Sequence, residues 1–381
     1  MLTRRLFTAA LTTLVITTLA CGGCGKKSDE IQVGAFLSLS GSDSTFGTDT
    51  RDGIELAVEE VNGAGGVKGK KVKVLYEDDK STTQEASQKV RQLIDRDKVV
   101  AILGEVASSR SLAGGLIANT SHVPMVTPSS TAVDVTKGRE WVFRTCFTDD
   151  QQGEVAARFV KNELKKTKVG VFYAAQDTYS SGLARSFRDE LKKLGGEIAI
   201  DKGYQKGETN FTTYLNELKA ANPEIIFVPN YYNEMVQIAR QAKQAGIPGS
   251  MFMGGDGWDS ANLIEGAGAE LDGAYFTNHY APDGPSQSSK QFLTTFQGKY
   301  KHQPSSLSAM GYDATRLLFD AIGRATEVTP EAIRKALSET KDFQGATGTM
   351  TMDKDRNVNK PIVIVKIANK KFTYASQVTA Q

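Results

Sequence analysis

From Ile31 onward, short runs rich in Val, Ile, Phe and Tyr alternate with longer stretches whose apolar residues recur every three or four positions. "IQVGAFLSL" predicts a strand. "DGIELAVEEVN" predicts a helix, because Ile54, Leu56, Ala57, Val58 and Val61 fall at helical spacing and Asn62-Gly63 ends the run. The alternation continues through strand "KKVKVLYED", helix "QEASQKVRQLIDRD", strand "VVAIL" and helix "SLAGGLIANTS", then strands "PMVTP" and "WVFRT". It restarts with helix "QGEVAARFVKNEL", strand "KVGVFYA", helix "SGLARSFRDELKKL" and strand "GGEIAIDKGY". "FTTYLNELKAA" then leads into "EIIFVPN", "EMVQIARQAKQAG" into "SMFMG", and "GAYFTNHY" follows. Three helical stretches come next, beginning at Ser289, Ser306 and Pro330, and "GTMTMD", "PIVIVKIA" and "KFTYA" close the chain as strands.

Such alternation predicts an α/β fold with parallel sheets covered by helices on both faces. It runs twice over about 120 residues each time, which predicts two similar doubly wound lobes. The late helices and last strands are too few for a third domain. They are expected to return to the first lobe and then to the second, so that several crossings form a hinge. In open α/β sheets ligands bind beyond the carboxyl ends of the strands. The loops after strands are therefore where chemistry is sought.

The front of the chain has a different pattern. Arg4 and Arg5 precede an apolar, threonine-rich run from Leu6 to Ala20. A basic start, a short apolar stretch and a small residue before a cleavage point read as an export signal over residues 1–20. The run is shorter than the ~20 residues that span a bilayer. Ala20-Cys21 resembles a lipobox, which makes Cys21 the lipidation site and residues 21–30 a lipid-anchored tether; Thr18 departs from the usual Leu. "TRRLFT" also resembles a twin-arginine signal. Ordinary secretion with cleavage near Ala20 and an uncleaved anchor are the alternatives.

Removing residues 1–20 takes away Arg4 and Arg5 and leaves 44 basic and 44 acidic residues. No basic surplus or basic–aromatic cluster points to nucleic acid. Beyond Cys21 and Cys24 only Cys146 remains, so a disulfide framework is excluded, and Cys146 reads as a small buried side chain. His122, His279 and His302 show no metal-ligand spacing, and no G-x-S-x-G elbow occurs. "GAGGVKGKK" lacks both the first glycine and the Ser/Thr of a phosphate loop. "DKDRNVN" has Val358 and Ile364 where a calcium loop needs glycine and an acid. Neither an enzyme nor a cofactor or metal is expected.

Binding chemistry is better represented. Ser108 and Ser109 stand where a helix begins after "VVAIL", and helix N-termini attract carboxylates. Ser129, Ser130 and Thr131 follow the next strand. In the second half Tyr179, Tyr231 with Tyr232, and Asp256 each follow a strand. An acid beside tyrosine faces suits an ammonium group by charge and by cation–π attraction. Singly, each position is also explained by a helix cap or a turn. Together they place carboxylate donors on one lobe and an ammonium acceptor on the other, as an α-amino acid would require.

Residues 31–375 resemble the type I periplasmic binding proteins of the leucine/isoleucine/valine-binding branch. The resemblance is carried by "VGAFLSLSGSDSTFGTDTRDGIELAVEEVNGAGGVKGKKV", "ASSRS", "TPSSTAVDVT", "YSSGLARSF", "YYNEMVQIARQAKQAG" and "FMGGDGWDS", in that order. It implies that Ser108 binds the ligand carboxylate and that Ser129 and Thr131 hold the amino-acid head group. It further implies that Tyr179 and Tyr231 flank the ligand, that Asp256 takes the ammonium and that Phe46 packs on the ligand side chain. Leucine-binding members often carry Glu in place of Asp256. A side chain one CH₂ shorter leaves room for the head group to shift or for a water. Glu105 matters too, since a pocket-facing Glu105 would argue against a purely apolar ligand.

The resemblance also implies three crossovers, near Thr148, Asn278 and Thr349. Residues 31–148 and 279–348 then form lobe 1, and residues 149–278 and 349–381 form lobe 2. The implied function is capture of a small-molecule amino acid, branched-chain by default, by a monomer held outside the cytoplasm by its lipid. Its partners are an ABC permease and ATPase complex. A ligand-sensing receptor of the same fold, or a binder of another small amide or carboxylate, is the alternative reading.

Overall fold

The computed structural model describes residues 30–378, so the export signal and the tether with Cys21 and Cys24 lie outside the described residues. Strand β1 (Glu30–Leu37) alternates across its sheet. Val33, Ala35 and Leu37 pack on one face and Phe36 on the other, as a period of two requires. Helix α1 (Ser44–Gly63) begins eight residues before the amphipathic stretch that announces it. Its first turns are buried at Phe46, Gly47 and Thr50, with Phe46 in the cleft wall and Gly47 against the Ser38 backbone, and so carry no simple polar face. β2 (Lys71–Asp78), α2 (Thr83–Asp95), β3 (Ile102–Leu103), α3 (Ser108–Thr120), β4 (Met125–Thr127) and β5 (Val142–Arg144) complete the first run. The Thr82 hydroxyl starts α2 by accepting from the Glu85 amide. The five strands form a parallel sheet in the order β2-β1-β3-β4-β5.

Thr148 and Gln151 then form a reciprocal capping box that opens α4 (Asp149–Arg158). The helix carries the chain to a second core through Val155, Ala156 and Ala157. That core is built on β6 (Lys168–Ala174), α5 (Thr178–Lys193), β7 (Glu197–Tyr204), α6 (Thr212–Ala220), β8 (Ile225–Val228), α7 (Tyr232–Ala245), β9 (Phe252–Gly254), α8 (Ala261–Ala267) and β10 (Tyr275–Asn278). Gly246, at φ 76, ends α7 in the left-handed conformation that glycine tolerates best.

The chain next returns to the first lobe as α9 (Gln287–Tyr300), α10 (Ser306–Arg324) and α11 (Pro330–Ser338). Helix α10 lies against α1 closely enough that a Cβ on Gly53 would meet the Ser308 carbonyl oxygen at 1.9 Å. The hairpin of β11 (Phe343–Gly345) and β12 (Gly348–Met350) follows, and its first strand has no sequence signature. Finally β13 (Ile362–Ala368) and β14 (Lys371–Val378) join the second sheet, whose order is β14-β13-β10-β9-β8-β6-β7. β13 runs antiparallel to β10 and β14 antiparallel to β13, on a sheet whose other strands are parallel.

Met350, Met352 and Val358 pack with Val33 and Leu317 in the first core. The Arg144 amide also donates to the Arg356 carbonyl at 3.1 Å. The third crossing therefore falls after Val358, later than the expected Thr349. The strand-like "GTMTMD" closes a hairpin against the first lobe instead of leaving it. Cys146 is buried near the first crossing, and burial pushes its thiol up to about 12. Among the described residues no helix is long and apolar enough to cross a membrane.

Both sheets share one logic. In the first, β2 and β3 flank β1; in the second, β7 and β8 flank β6. Each reversal of winding opens a crevice at the carboxyl ends of the strands, and the two crevices face each other.

Candidate functional site

On the first lobe, the loops after β1, β3 and β4 supply the wall. Ser108 is the first residue of α3, so this wall lies at a helix N-terminus. The Ser108 hydroxyl accepts from the Ala132 amide at 3.2 Å and keeps its own proton to donate. Ser129 Oγ and Thr131 Oγ1 are buried without a protein partner. Buried hydroxyls are nearly always hydrogen-bonded, so this pair stands out in the wall. Phe46, from the first turn of α1, sets its ring edge-on to Tyr231 at 5.6 Å and to Tyr232 at 5.0 Å.

On the second lobe, Tyr179 and Tyr231 stack in parallel with centroids 5.2 Å apart. Burial pushes both phenols well above their usual range, so both stay protonated. Tyr179 Oη accepts from the Gly257 amide at 3.1 Å, whereas the Tyr231 hydroxyl is unpartnered. Lys206 lies 4.8 Å from the Tyr231 ring centre and pairs with Asp177 at 2.6 Å. Asp256 occupies a single 3₁₀ turn after β9, between Gly255 and Gly257. Its Oδ1 accepts from Gln152 Nε2 at 2.7 Å, and its Oδ2 faces His279 Nε2 at 3.2 Å.

These residues meet at one enclosed cleft. It is narrow, with a cavity volume of about 10 Å³, and is lined by Phe46, Ser108, Ser129, Thr131, Tyr179, Tyr231 and Asp256, together with Val106, Gly257 and Leu307. Seven of the eight ligand-binding residues singled out from sequence are thus brought together. Ser130 is the exception and corrects that expectation. Its hydroxyl turns inward to the Glu105 and Val106 carbonyls at 2.9 and 2.8 Å, and its own carbonyl accepts from Arg144 at 2.8 Å. Ser130 thus ties the loop after β3 to the loop after β4, which the alternating direction of adjacent side chains makes natural.

Glu105 also turns away from the cleft. Its carboxylate accepts from the Ala107 amide at 2.6 Å, Arg110 Nε at 2.9 Å and the Ser38 amide at 3.2 Å. Arg110, buried beneath the loop, reaches Asp43 at 2.8 Å and approaches Asp79 at 3.9 Å. Burial, with Glu105 adjacent, pushes the Asp79 carboxyl up to about 7. A raised folded-state pKa adds stability at low pH, and that stability is lost as pH rises from about 4 through about 7. Asp79→Asn should abolish this loss. Denaturation midpoints of variant and wild type should move in the variant's favour between about pH 5 and about pH 8. A difference that stays constant over that span would contradict the raised pKa.

Asp149 escapes sequence reasoning. Placed after Thr148, it reads as an acid in the first turn of a helix, where the dipole favours it. In the fold it is 2 % exposed and neither carboxylate oxygen has a hydrogen-bond partner. Burial pushes its pKa well above the usual range; nearby Thr131 partly offsets this and Asp256 adds to it. Gln152 and His279 were missed as well, since neither carries a motif. Two acids thus stand at the second-lobe side of a cleft whose lining contains no Lys, Arg or His.

The lobes also touch directly beside the cleft. Tyr232 Oη donates to the Ser42 carbonyl at 3.1 Å, and Asn233 Nδ2 donates to Asp43 at 3.2 Å. Asp259 Oδ2 accepts from the Ser306 amide at 2.7 Å and from Asn278 Nδ2 at 3.0 Å. The structure is therefore the closed form of a two-lobed clamp.

Two doubly wound lobes closed on a small polar cleft define a bilobal ligand-binding protein. The Periplasmic binding protein family profile matches residues 30–371, and the chain belongs to that family. Within it, the chain is 30 % identical over 337 residues to Leu/Ile/Val-binding protein homolog 3 of Brucella melitensis, covering 87 % of this chain and 89 % of that one. A crystal structure of a leucine-binding protein from Thermotoga maritima is 35 % identical, with TM-score 0.88, covering 92 % of this chain and 99 % of that one. The branched-chain amino acid transporter substrate-binding protein of Streptococcus pneumoniae, solved with isoleucine, is 33 % identical, with TM-score 0.86 and the same coverage.

Proposed function

We propose that this chain is the extracytoplasmic solute-binding component of an ABC importer and that it captures a branched-chain amino acid in the interlobe cleft. The observation that carries this reading is the distribution of unpartnered polarity. Hydroxyls of Ser129 and Thr131 without a protein partner on one lobe line the same cleft as Asp256 on the other. The apolar remainder of the lining, Phe46, Val106 and Leu307, suits an aliphatic side chain. The isoleucine held by the Streptococcus pneumoniae relative supports the same class of ligand.

Ser108, Ser129 and Thr131 take the ligand carboxylate and head group, Asp256 takes the ammonium, and Tyr179 and Tyr231 flank it. Ligand contacts to both lobes favour the closed state over the open one, which is a population shift without bond chemistry. The monomer then presents its closed form to a permease and ATPase complex. Lobe 1 comprises residues 31–148 and 279 to about 358, and lobe 2 residues 149–278 and those from about 359 on.

Calorimetry and thermal unfolding with L-leucine, L-isoleucine and L-valine test the reading. A true ligand at 100 times its Kd adds about 2.7 kcal/mol of stability. No stabilisation by any amino acid would overturn it. Anchoring through Cys21 completes the proposal, since an acylated protein stays beside its permease. Cys21→Ala should move the protein from the membrane fraction to the soluble extracytoplasmic fraction; continued detergent-dependent extraction would refute the anchor.

A further inference from the structure

Asp256 is held by two residues that stand at the connections between the lobes. Gln152 lies one turn into α4, just after the first crossing, and is fully buried. Its Nε2 donates to Asp256 while its Oε1 has no partner, so the amide orientation is set by the carboxylate alone. His279 follows β10 at the second crossing and is also fully buried. Its backbone amide donates to Asn278 Oδ1 at 2.8 Å, and its ring stacks on Phe147 with centroids 3.9 Å apart. Phe147 itself belongs to the first crossing. A stack between two connecting segments therefore fixes the imidazole that meets the ligand-facing acid.

We propose that Gln152 and His279 are positioning residues for ammonium recognition: they fix the Asp256 carboxylate in the cleft wall, and His279 makes amino-acid capture weaken when its ring gains a proton. This rests on the amino-acid reading given above. An ionised carboxylate only accepts, so a neutral His279 must carry its proton on Nε2 and donate it to Asp256. Each carboxylate oxygen keeps a further lone pair for a ligand ammonium. Burial pushes the imidazole below its usual pKa, with the Asp256 contact opposing that shift, so the neutral form is the working one. A second proton on the ring would place a full cation against Asp256 and oppose the incoming ammonium.

The charged groups around the ring act on this equilibrium from several elements. Asp256 and Asp259, in the segment after β9, favour the imidazolium, and Lys360, beyond the third crossing, disfavours it. Asp149 on α4 acts on Asp256, and its own protonation would also weaken ammonium binding at low pH. A pH profile must therefore separate the ring from Asp149, and the conservative replacement does so. Glutamine at position 279 can place an amide donor where Nε2 now lies, but it does not titrate.

L-leucine calorimetry on the mature chain at about pH 8 and about pH 5 tests the proposal. Gln152→Ala and His279→Ala should each weaken binding roughly tenfold, the scale of one hydrogen bond to a charged group. His279→Gln should retain more affinity than His279→Ala, and its affinity should fall less between the two pH values than that of the wild type. Wild-type affinity in both alanine variants, or identical pH profiles in wild type and His279→Gln, would overturn the assignment. NMR titration of the His279 ring without ligand gives an independent reading. Asp256→Asn should shift that titration to lower pH. A ring that titrates identically in both proteins, or never titrates in the wild type, overturns the proposal whether or not leucine binds. Failure of the amino-acid reading shows separately, as a wild type that binds no amino acid.

Discussion

Asp256→Ala is expected to weaken L-leucine binding by roughly 100-fold or more while leaving the circular dichroism spectrum of the free protein unchanged. Loss of one partner from a buried, hydrogen-bonded charge pair costs about 2–5 kcal/mol. No cation in the cleft lining offsets Asp256 at present, so its charge is available to the ligand. The substitution removes the acid proposed to meet the ammonium and leaves Gln152 Nε2 and His279 Nε2 without their partner. The fold should survive, because Asp256 sits in a short 3₁₀ turn whose backbone bonds run from the Trp258 amide to the Gly255 carbonyl and from the Asp259 amide to the Asp256 carbonyl. Calorimetry decides the matter: unchanged affinity would mean that the ammonium is recognised elsewhere, with Asp149 the next acid to remove.

The second large effect is on stability. Arg110→Ala should lower the free energy of unfolding by about 3–5 kcal/mol, because it strips the cation from a buried ion cluster. Arg110 is 2 % exposed and pairs with Asp43 and Glu105, with Asp79 close by. Its removal leaves these acids facing one another without a positive charge. The loss should appear as a lower urea midpoint with an unchanged slope. It should also loosen closure, since Asp43 passes the cluster's constraint to Asn233 on the opposite lobe. A change below about 1 kcal/mol would mean that water or protonation already compensates the acids.

Much of this architecture is legible in the chain. Alternating apolar periods announce two α/β lobes, and the positions after strand ends pick out residues that meet across the cleft. The reason is geometric: in a doubly wound sheet, successive loops at the carboxyl ends converge at the switch point. A residue just beyond a strand is thus near its counterparts even when more than a hundred positions separate them, as Phe46 and Asp256 are. The directions of individual side chains are not legible in the same way. Ser129, Ser130 and Thr131 look alike as a triplet, yet backbone direction sends the first and third into the cleft and the second into the loop.

The remainder belongs to long-range packing. Glu105 precedes a candidate helix start and could have faced a ligand, but Arg110 on α3 and Ser38, just after β1, draw it inward. The third crossing falls after Val358 because Met350, Met352 and Val358 fill space in the first core, a need invisible in a strand-like pattern. Asp149, Gln152 and His279 carry no motif, and they gather around Asp256 only when α4 and the segment after β10 come together. The sequence by itself determined the lobes, the parallel sheets and the loops that meet at the cleft, because periodicity and chain order are local properties. Only the tertiary structure decided which atoms face the ligand and which charges are left unpaired there, because burial and partners depend on residues far apart in the chain.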